Sequence, residues 1–233
     1  MSLIAPAGPH TARMWEVTAE CRARIERLDF LTQLADGTLD PEKFTFYIQQ
    51  DSHYLRAYQR AMTEVAGRAV SGDDLAFWAA SASEAVGEEQ ALHTQLMGDA
   101  LLAAHVEAPV PESLHTAAYS SFLLATAAFA PYAVAAAAVL PCYWIYAEAG
   151  ARIAASAEAA ALGQHPYATW VQAYADEDFH RAAARAVGIV ERACEEAGQA
   201  ERERAVEAFR AATRFEELFW VQPMAAPEDR LLI

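Results

Sequence analysis

The chain predicts an all-α fold, one single domain of long packed helices spanning 1–233. Helix-forming residues dominate, and no run shows the strict alternation of a half-buried strand. With 233 residues, 55% of them hydrophobic and 21% charged, the chain can bury one substantial core and is short for two.

The elements follow in order. Residues 1–9 read as an N-terminal arm. Helical patterns then cover 11–27, 30–35 and 41–69. Asp36-Gly37-Thr38 separates the second from the third, and Pro41-Glu42 gives the third a proline and an acid for its first turn. Ser71-Gly72-Asp73-Asp74 interrupts again and offers capping oxygens to a pattern over 73–104. Pro109 to Pro111 precedes 113–129, and Pro131 opens 131–161. Gly163 to Pro166 and Gly198 bound the patterns over 167–197 and 201–220. Pro223 ends the last helix, leaving 221–233 as a C-terminal tail.

Composition excludes several function classes. A formal net charge of −15 leaves no basic face for phosphates, so no nucleic-acid partner is expected. Lys43 is the only lysine, which argues against a Schiff-base or P-loop lysine, and there is no Gly-rich phosphate loop. Cys21, Cys142 and Cys194 are odd in number and irregularly spaced, and no charged-then-apolar leader opens the chain. Both features point to a reduced, cytoplasmic setting. The stretch from Phe122 to Tyr146 has the length of a membrane span. Pro131, Pro141, the excess of Ala over Leu and the lack of flanking basic residues make it a buried central helix instead, with no membrane partner.

Three clusters could carry chemistry. In the first, Tyr47, Asp51, Tyr54 and Tyr58 recur at offsets of zero, four, seven and eleven and form one helical stripe. An aromatic stripe is ordinary core, but a carboxylate within it needs a donor. Asp51 is either satisfied by neighbouring phenols or poised for a two-donor ligand edge between aromatic walls. The second cluster is Cys142 with Tyr146, one turn apart in a stretch from Thr116 to Ala147 without a charged residue or histidine. A lone thiol there is a small buried hydrophobe or a nucleophile, and nothing cationic nearby in sequence activates it. The third places Glu216, Phe219 and Trp220 on one face and Glu217 on another. Glu216 is then a solvated acid at a helix end, or a carboxyl in an apolar wall whose desolvation raises its pKa toward general-acid duty. Tyr167, Trp170 and Tyr174 share a further face, and Tyr119 is another polar aromatic inside a helical pattern.

Two Glu-x-x-His runs, Glu112 to His115 and Glu177 to His180, have the spacing used by di-iron bundles. Glu112 lies at a helix start and Glu177 in an acidic turn, and such sites need two further glutamates, so no metal is expected.

Taken together, these segments resemble the TenA family, the thiaminase II or aminopyrimidine aminohydrolase group. The resemblance runs from Gly37-Thr38-Leu39 and Phe44-x-x-Tyr47-x-x-x-Asp51-x-x-Tyr54-Leu55, through Glu89-x-x-x-His93 and Leu140-Pro141-Cys142-Tyr143-Trp144-x-Tyr146. It ends in Pro166-Tyr167-x-x-Trp170-x-x-x-Tyr174 and Phe215-Glu216-x-x-Phe219-Trp220. It implies a heme-oxygenase-like helical bundle that uses no heme or other cofactor, assembled as a homotetramer. The activity implied is hydrolysis of the exocyclic C–N bond of aminopyrimidines derived from thiamin, and more weakly of thiamin itself, giving hydroxymethylpyrimidine. Cys142 matches the nucleophile position and Glu216 the proton-handling acid of the Cys-containing branch. Asp51 would grip the ring nitrogen and 4-amino group, with Tyr47 on the same stripe. Tyr54, Tyr146 and Tyr174 would position ring, acid and thiol, with Tyr119 and Phe219 as aromatic walls. The segment Val221-Gln222-Pro223-Met224-Ala225 departs from the family pattern, which commonly has a small residue, Met and Ala-Tyr there. Two other readings stay open on the sequence: a non-catalytic pyrimidine-binding relative, and a di-iron oxygenase on the same fold.

Overall fold

A computed structural model describes residues 3–98, 110–156 and 165–232, with the side chains at 86 and 88–98 outside that description. The side chains of Glu89 and His93 of the motif above, and the predicted helical residues at 99–104 and 157–161, therefore lie outside the description. Among the described residues the elements are all helical. They are α1 (Pro9–Val17), α2 (Ala19–Ile25), α3 (Asp29–Asp36), α4 (Pro41–Arg68), α5 (Gly72–Gly98), α6 (Leu114–Phe129), α7 (Tyr132–Ser156), α8 (Ala168–Ala175), α9 (Glu177–Glu196) and α10 (Gln199–Val221). A 3-10 turn at Gln222–Met224 follows.

Local chemistry sets most of these boundaries. Asp40 caps α4 by accepting from Glu42 N at 2.9 Å, with Pro41 in the first turn. Ser71 Oγ accepts from Asp74 N at the start of α5, and Ser113 Oγ from Thr116 N at the start of α6, each at 3.0 Å. Gly37 closes α3 at φ 69°, the left-handed conformation that favours glycine.

Two predicted helices are each a pair. The pattern over 11–27 divides at Thr18, whose buried hydroxyl bonds back to the Met14 carbonyl at 2.9 Å and the Trp15 carbonyl at 3.2 Å. Such a side chain competes with the helical backbone pattern. The pattern over 167–197 divides at Asp176, whose carboxylate caps α9 by accepting from Asp178 N and Phe179 N. The segment before α1 is anchored: Ile4 is buried, its N–H donates to Glu148 and its carbonyl accepts from Trp144 Nε1.

α7 is the centre of the bundle. It packs against α10, α9, α8 and α6, while α4 packs against α5 and α6. α7 is long and apolar enough to cross a membrane, but 89% of its apolar window is buried inside the protein, which is the signature of a core helix. Ala133 and the run Ala135–Ala138 are all at 1% exposure or less, so neighbouring helices approach its backbone closely. At Gly150 the approach is closest. A Cβ there would lie 2.5 Å from the Tyr174 Cβ and carbonyl oxygen, so glycine is what lets α8 cross α7.

Candidate active site

Five helices deliver side chains to one buried region between α7 and its neighbours. α4 brings Tyr47, Asp51, Tyr54 and Tyr58, all buried along the stripe its spacing dictates. α6 brings Tyr119, α7 brings Cys142 and Tyr146, α8 brings Trp170 and Tyr174, and α10 brings Glu216, Phe219 and Trp220.

Glu216 is 1% exposed, and Tyr119 Oη donates to its Oε1 at 2.6 Å. Burial pushes this carboxyl up from an ordinary 4.5 to about 8, with the Asp51 charge adding to the rise and the Tyr119 bond opposing it. The group is therefore mostly protonated at neutral pH. The adjacent Glu217 faces the other way, where Arg24 Nε and a second Arg24 nitrogen meet it at 2.6 and 2.8 Å and hold it below its ordinary value.

Cys142 keeps partial exposure as a residue, while its thiol lies among Tyr54, Tyr58 and the Glu216 and Asp51 carboxyls. Burial and then the Glu216 charge push the thiol well above its ordinary value, and the two phenols pull it back. Tyr58 is anchored by donating to the Val139 carbonyl at 2.8 Å, beside Pro141, which sits inside α7 and contributes no backbone N–H. The Tyr54 hydroxyl is buried and has no oxygen or nitrogen partner in bonding geometry. Its interaction is with the Cys142 sulfur, which it pulls back toward the thiolate.

The aromatic surround is continuous. Tyr54 packs on Tyr119 at 4.9 Å and Phe219 at 5.5 Å, and Tyr47 meets Phe219 edge-on at 5.8 Å. Tyr146 lies against Tyr174 at 5.0 Å and Trp220 at 4.7 Å. Trp170 Nε1 donates to Tyr47 Oη at 3.3 Å, and the Tyr47 and Tyr146 hydroxyls are 3.3 Å apart. The nine residues that the resemblance placed in the site thus belong to one connected cluster. Tyr174 joins it through Tyr146 and Trp170, and Tyr146 turns its hydroxyl to Tyr47, leaving the phenols of Tyr54 and Tyr58 beside the thiol.

Tyr58, His115 and Trp170 were not among the predicted site residues. Tyr58 was visible as the last member of the α4 stripe. His115 Nε2 pairs with the Phe215 carbonyl at 3.1 Å, and its ring is 6.2 Å from Phe219. Burial lowers its pKa to about 4, so it is a neutral donor. The Glu-x-x-His runs do not converge: Glu112 accepts from Ser120, His180 pairs with the Tyr174 carbonyl, and exposed Glu177 meets Arg181. Among the described residues, no group of three or more potential metal-ligating side chains forms.

Known proteins share this arrangement of helices. The chain is 39% identical over 219 residues to the thiamine biosynthesis multifunctional protein ThiED of Corynebacterium efficiens, a match covering 94% of the chain. It spans only 29% of that protein, less than a third of its length. It is 27% identical over 195 residues to an aminopyrimidine aminohydrolase of Halalkalibacterium halodurans, covering 82% of the chain and 84% of the relative. Among solved structures, a TenA homologue from P. horikoshii superposes with a TM-score of 0.76 at 26% identity, covering 92% of this chain and 97% of that one. A domain with a heme oxygenase-like fold from Shewanella denitrificans shares the fold at a TM-score of 0.68 and 14% identity, covering 94% and 93% of the two chains. Residues 23–226 match the model of the TENA/THI-4/PQQC family, and the chain belongs to that family.

Proposed function

We propose that the protein is a thiamin-salvage hydrolase that cleaves the exocyclic C–N bond of aminopyrimidines by covalent catalysis through Cys142. The observation that carries this reading is the pairing of a buried thiol with a carboxyl at about 8 inside one aromatic-walled site. Relatives named aminopyrimidine aminohydrolase, at 26% and 27% identity, support the substrate class.

Asp51 holds the acceptor–donor edge made by the ring nitrogen and 4-amino group, and Phe219 and Tyr119 flank the ring. Cys142 passes its proton to the neighbouring Asp51 carboxylate and adds to the ring carbon next to the substituted one, which breaks aromaticity and drives electrons toward the exocyclic methylene; the proton returns when the sulfur leaves. Glu216, protonated at neutral pH, gives its proton to the departing amine. The resulting carboxylate then takes a proton from the water that adds to the methylene, and Cys142 leaves as aromaticity returns. The Tyr54 hydroxyl beside the thiol supplies a hydrogen bond to the sulfur as negative charge develops there. The protein works in the cytoplasm as a homotetramer and takes no cofactor.

The test is a turnover assay on aminomethylpyrimidine and thiamin. Cys142→Ala and Glu216→Gln are expected to abolish amine release while leaving the far-ultraviolet circular dichroism unchanged. Full activity in the alanine variant would sink the mechanism. One observation favours a second reading: the resting thiol is held in its unreactive protonated form by burial. Tight binding of hydroxymethylpyrimidine without turnover of any aminopyrimidine would make the protein a pyrimidine-binding member of the family.

A further inference from the structure

A buried polar ring ties together three of the helices that carry the site, and it uses none of the groups assigned above. Gln222, in the turn after α10, is fully buried. Its Oε1 accepts from Ser113 Oγ at 2.6 Å, and its Nε2 donates to Thr116 Oγ1 and to the Phe219 carbonyl, each at 3.4 Å. The Ser113 and Thr116 hydroxyls lie 2.9 Å apart. A hydroxyl carries one proton. The Ser113 proton is shared between Gln222 Oε1 and Thr116 Oγ1, and the Gln222 amide closes the ring by donating to Thr116 Oγ1.

The ring is continued onto α4. Ser113 N donates to Gln50 Oε1, and Gln50 Nε2 donates to the Pro111 carbonyl, both at 2.9 Å. Beside it, Val110 N donates to Gln49 Oε1 at 2.7 Å, and the His53 ring pairs with the Val110 carbonyl at 2.9 Å. Gln50 precedes Asp51, Thr116 lies one turn before Tyr119, and Gln222 begins the turn that follows the helix carrying Glu216 and Phe219. An apolar side chain of similar size would seal the same space with no directional preference, whereas the hydrogen-bonded ring is satisfied in one register only.

We infer that Gln222 is a positioning residue: through Ser113 and Thr116 it sets the register between α6 and α10 that puts Tyr119 on Glu216. The consequence for turnover rests on the proposed role of Glu216. The effect on Glu216 itself does not, because it exists without substrate.

The experiment follows Glu216 protonation in the substrate-free protein, through the infrared band of its protonated carboxyl across the midpoint at about 8. It compares wild type, Tyr119→Phe, Gln222→Met and the double variant. Removing the Tyr119 donor raises the midpoint. Gln222→Met is expected to raise it in the same direction and to add nothing once Tyr119 is Phe, because both act on one bond. With aminomethylpyrimidine, kcat of Gln222→Met falls about tenfold with KM little changed, since a small misplacement of a reacting group has this order of cost. Thr116→Val, nearly isosteric, repeats the test should Gln222→Met fail to fold. An unmoved midpoint in a folded Gln222 or Thr116 variant, or fully additive shifts in the double variant, overturns the inference. Coupled shifts in a protein that turns over no aminopyrimidine leave the positioning role standing and remove only the proposed function.

Discussion

Burial acts on Cys142 and Glu216 in the same direction, since it keeps both protonated. For the carboxyl this makes a proton donor at neutral pH; for the thiol it is an obstacle that the phenols of Tyr54 and Tyr58 only partly offset. The Tyr119 bond is the adjustable part. It stabilises the Glu216 carboxylate, so Tyr119→Phe is expected to raise the Glu216 pKa above about 8, by about one pH unit for a charge-assisted bond. The alkaline limb of the pH–rate profile with aminomethylpyrimidine should move up with it, and an unmoved limb would show that another group sets it. At this scale the sequence was informative about faces and silent about partners. Helical spacing put Tyr47, Asp51, Tyr54 and Tyr58 on one stripe and Glu216 opposite Glu217. It could not say that Tyr146 would turn to Tyr47, or that Tyr58 would meet the thiol, because those pairings depend on where a distant helix crosses.

Helix ends show the same division. Caps supplied within a few residues, such as Asp40 for α4, are readable from sequence. The cap of α1 is not, because it comes from Glu191 on α9. Glu191 Oε1 accepts from His10 N at 3.1 Å, and its Oε2 accepts from Thr11 N and Thr11 Oγ1 at 2.7 Å each. These bonds outweigh burial and hold the carboxyl below its ordinary value, and the negative charge complements the helix N-terminus. Glu191→Ala leaves the first-turn N–H groups of α1 without their acceptor. It is expected to cost about 1–3 kcal/mol, read from the denaturant midpoint at unchanged slope. Because the folded pKa is lowered, this contribution is present above the ordinary carboxyl range and is lost as pH falls through it. The gap between wild type and Glu191→Ala should therefore narrow in acid. A constant gap would assign the loss to packing. The breaks at Thr18 and Asp176 were missed for a related reason: both residues fit a continuing helical pattern, and their side chains compete with it only once the backbone is in place.

Across the whole molecule, two buried groups of the site work against each other as pH changes. Glu216 sits at about 8 against an ordinary 4.5, so between those values the folded chain holds a proton that the unfolded chain has lost, and stability falls as pH rises. His115 sits at about 4 against an ordinary 6.5, so the unfolded chain holds the extra proton there and stability rises with pH. The two slopes cancel over their shared range, each being about 1.4 kcal/mol per pH unit. Above 6.5 only Glu216 continues, up to about 8. Stability is then expected to fall by about 2 kcal/mol across that interval and to level off beyond it. Glu216→Gln removes the titrating proton while keeping the shape of the side chain. Its melting temperature should stay flat across the interval in which wild type declines, and should exceed that of wild type at more alkaline pH, while aminopyrimidine turnover is lost. Thermal melts of both proteins at matched ionic strength decide the matter. Parallel curves would mean that Glu216 titrates as an ordinary carboxylate, and a carboxyl of that kind could not be the proton donor at neutral pH.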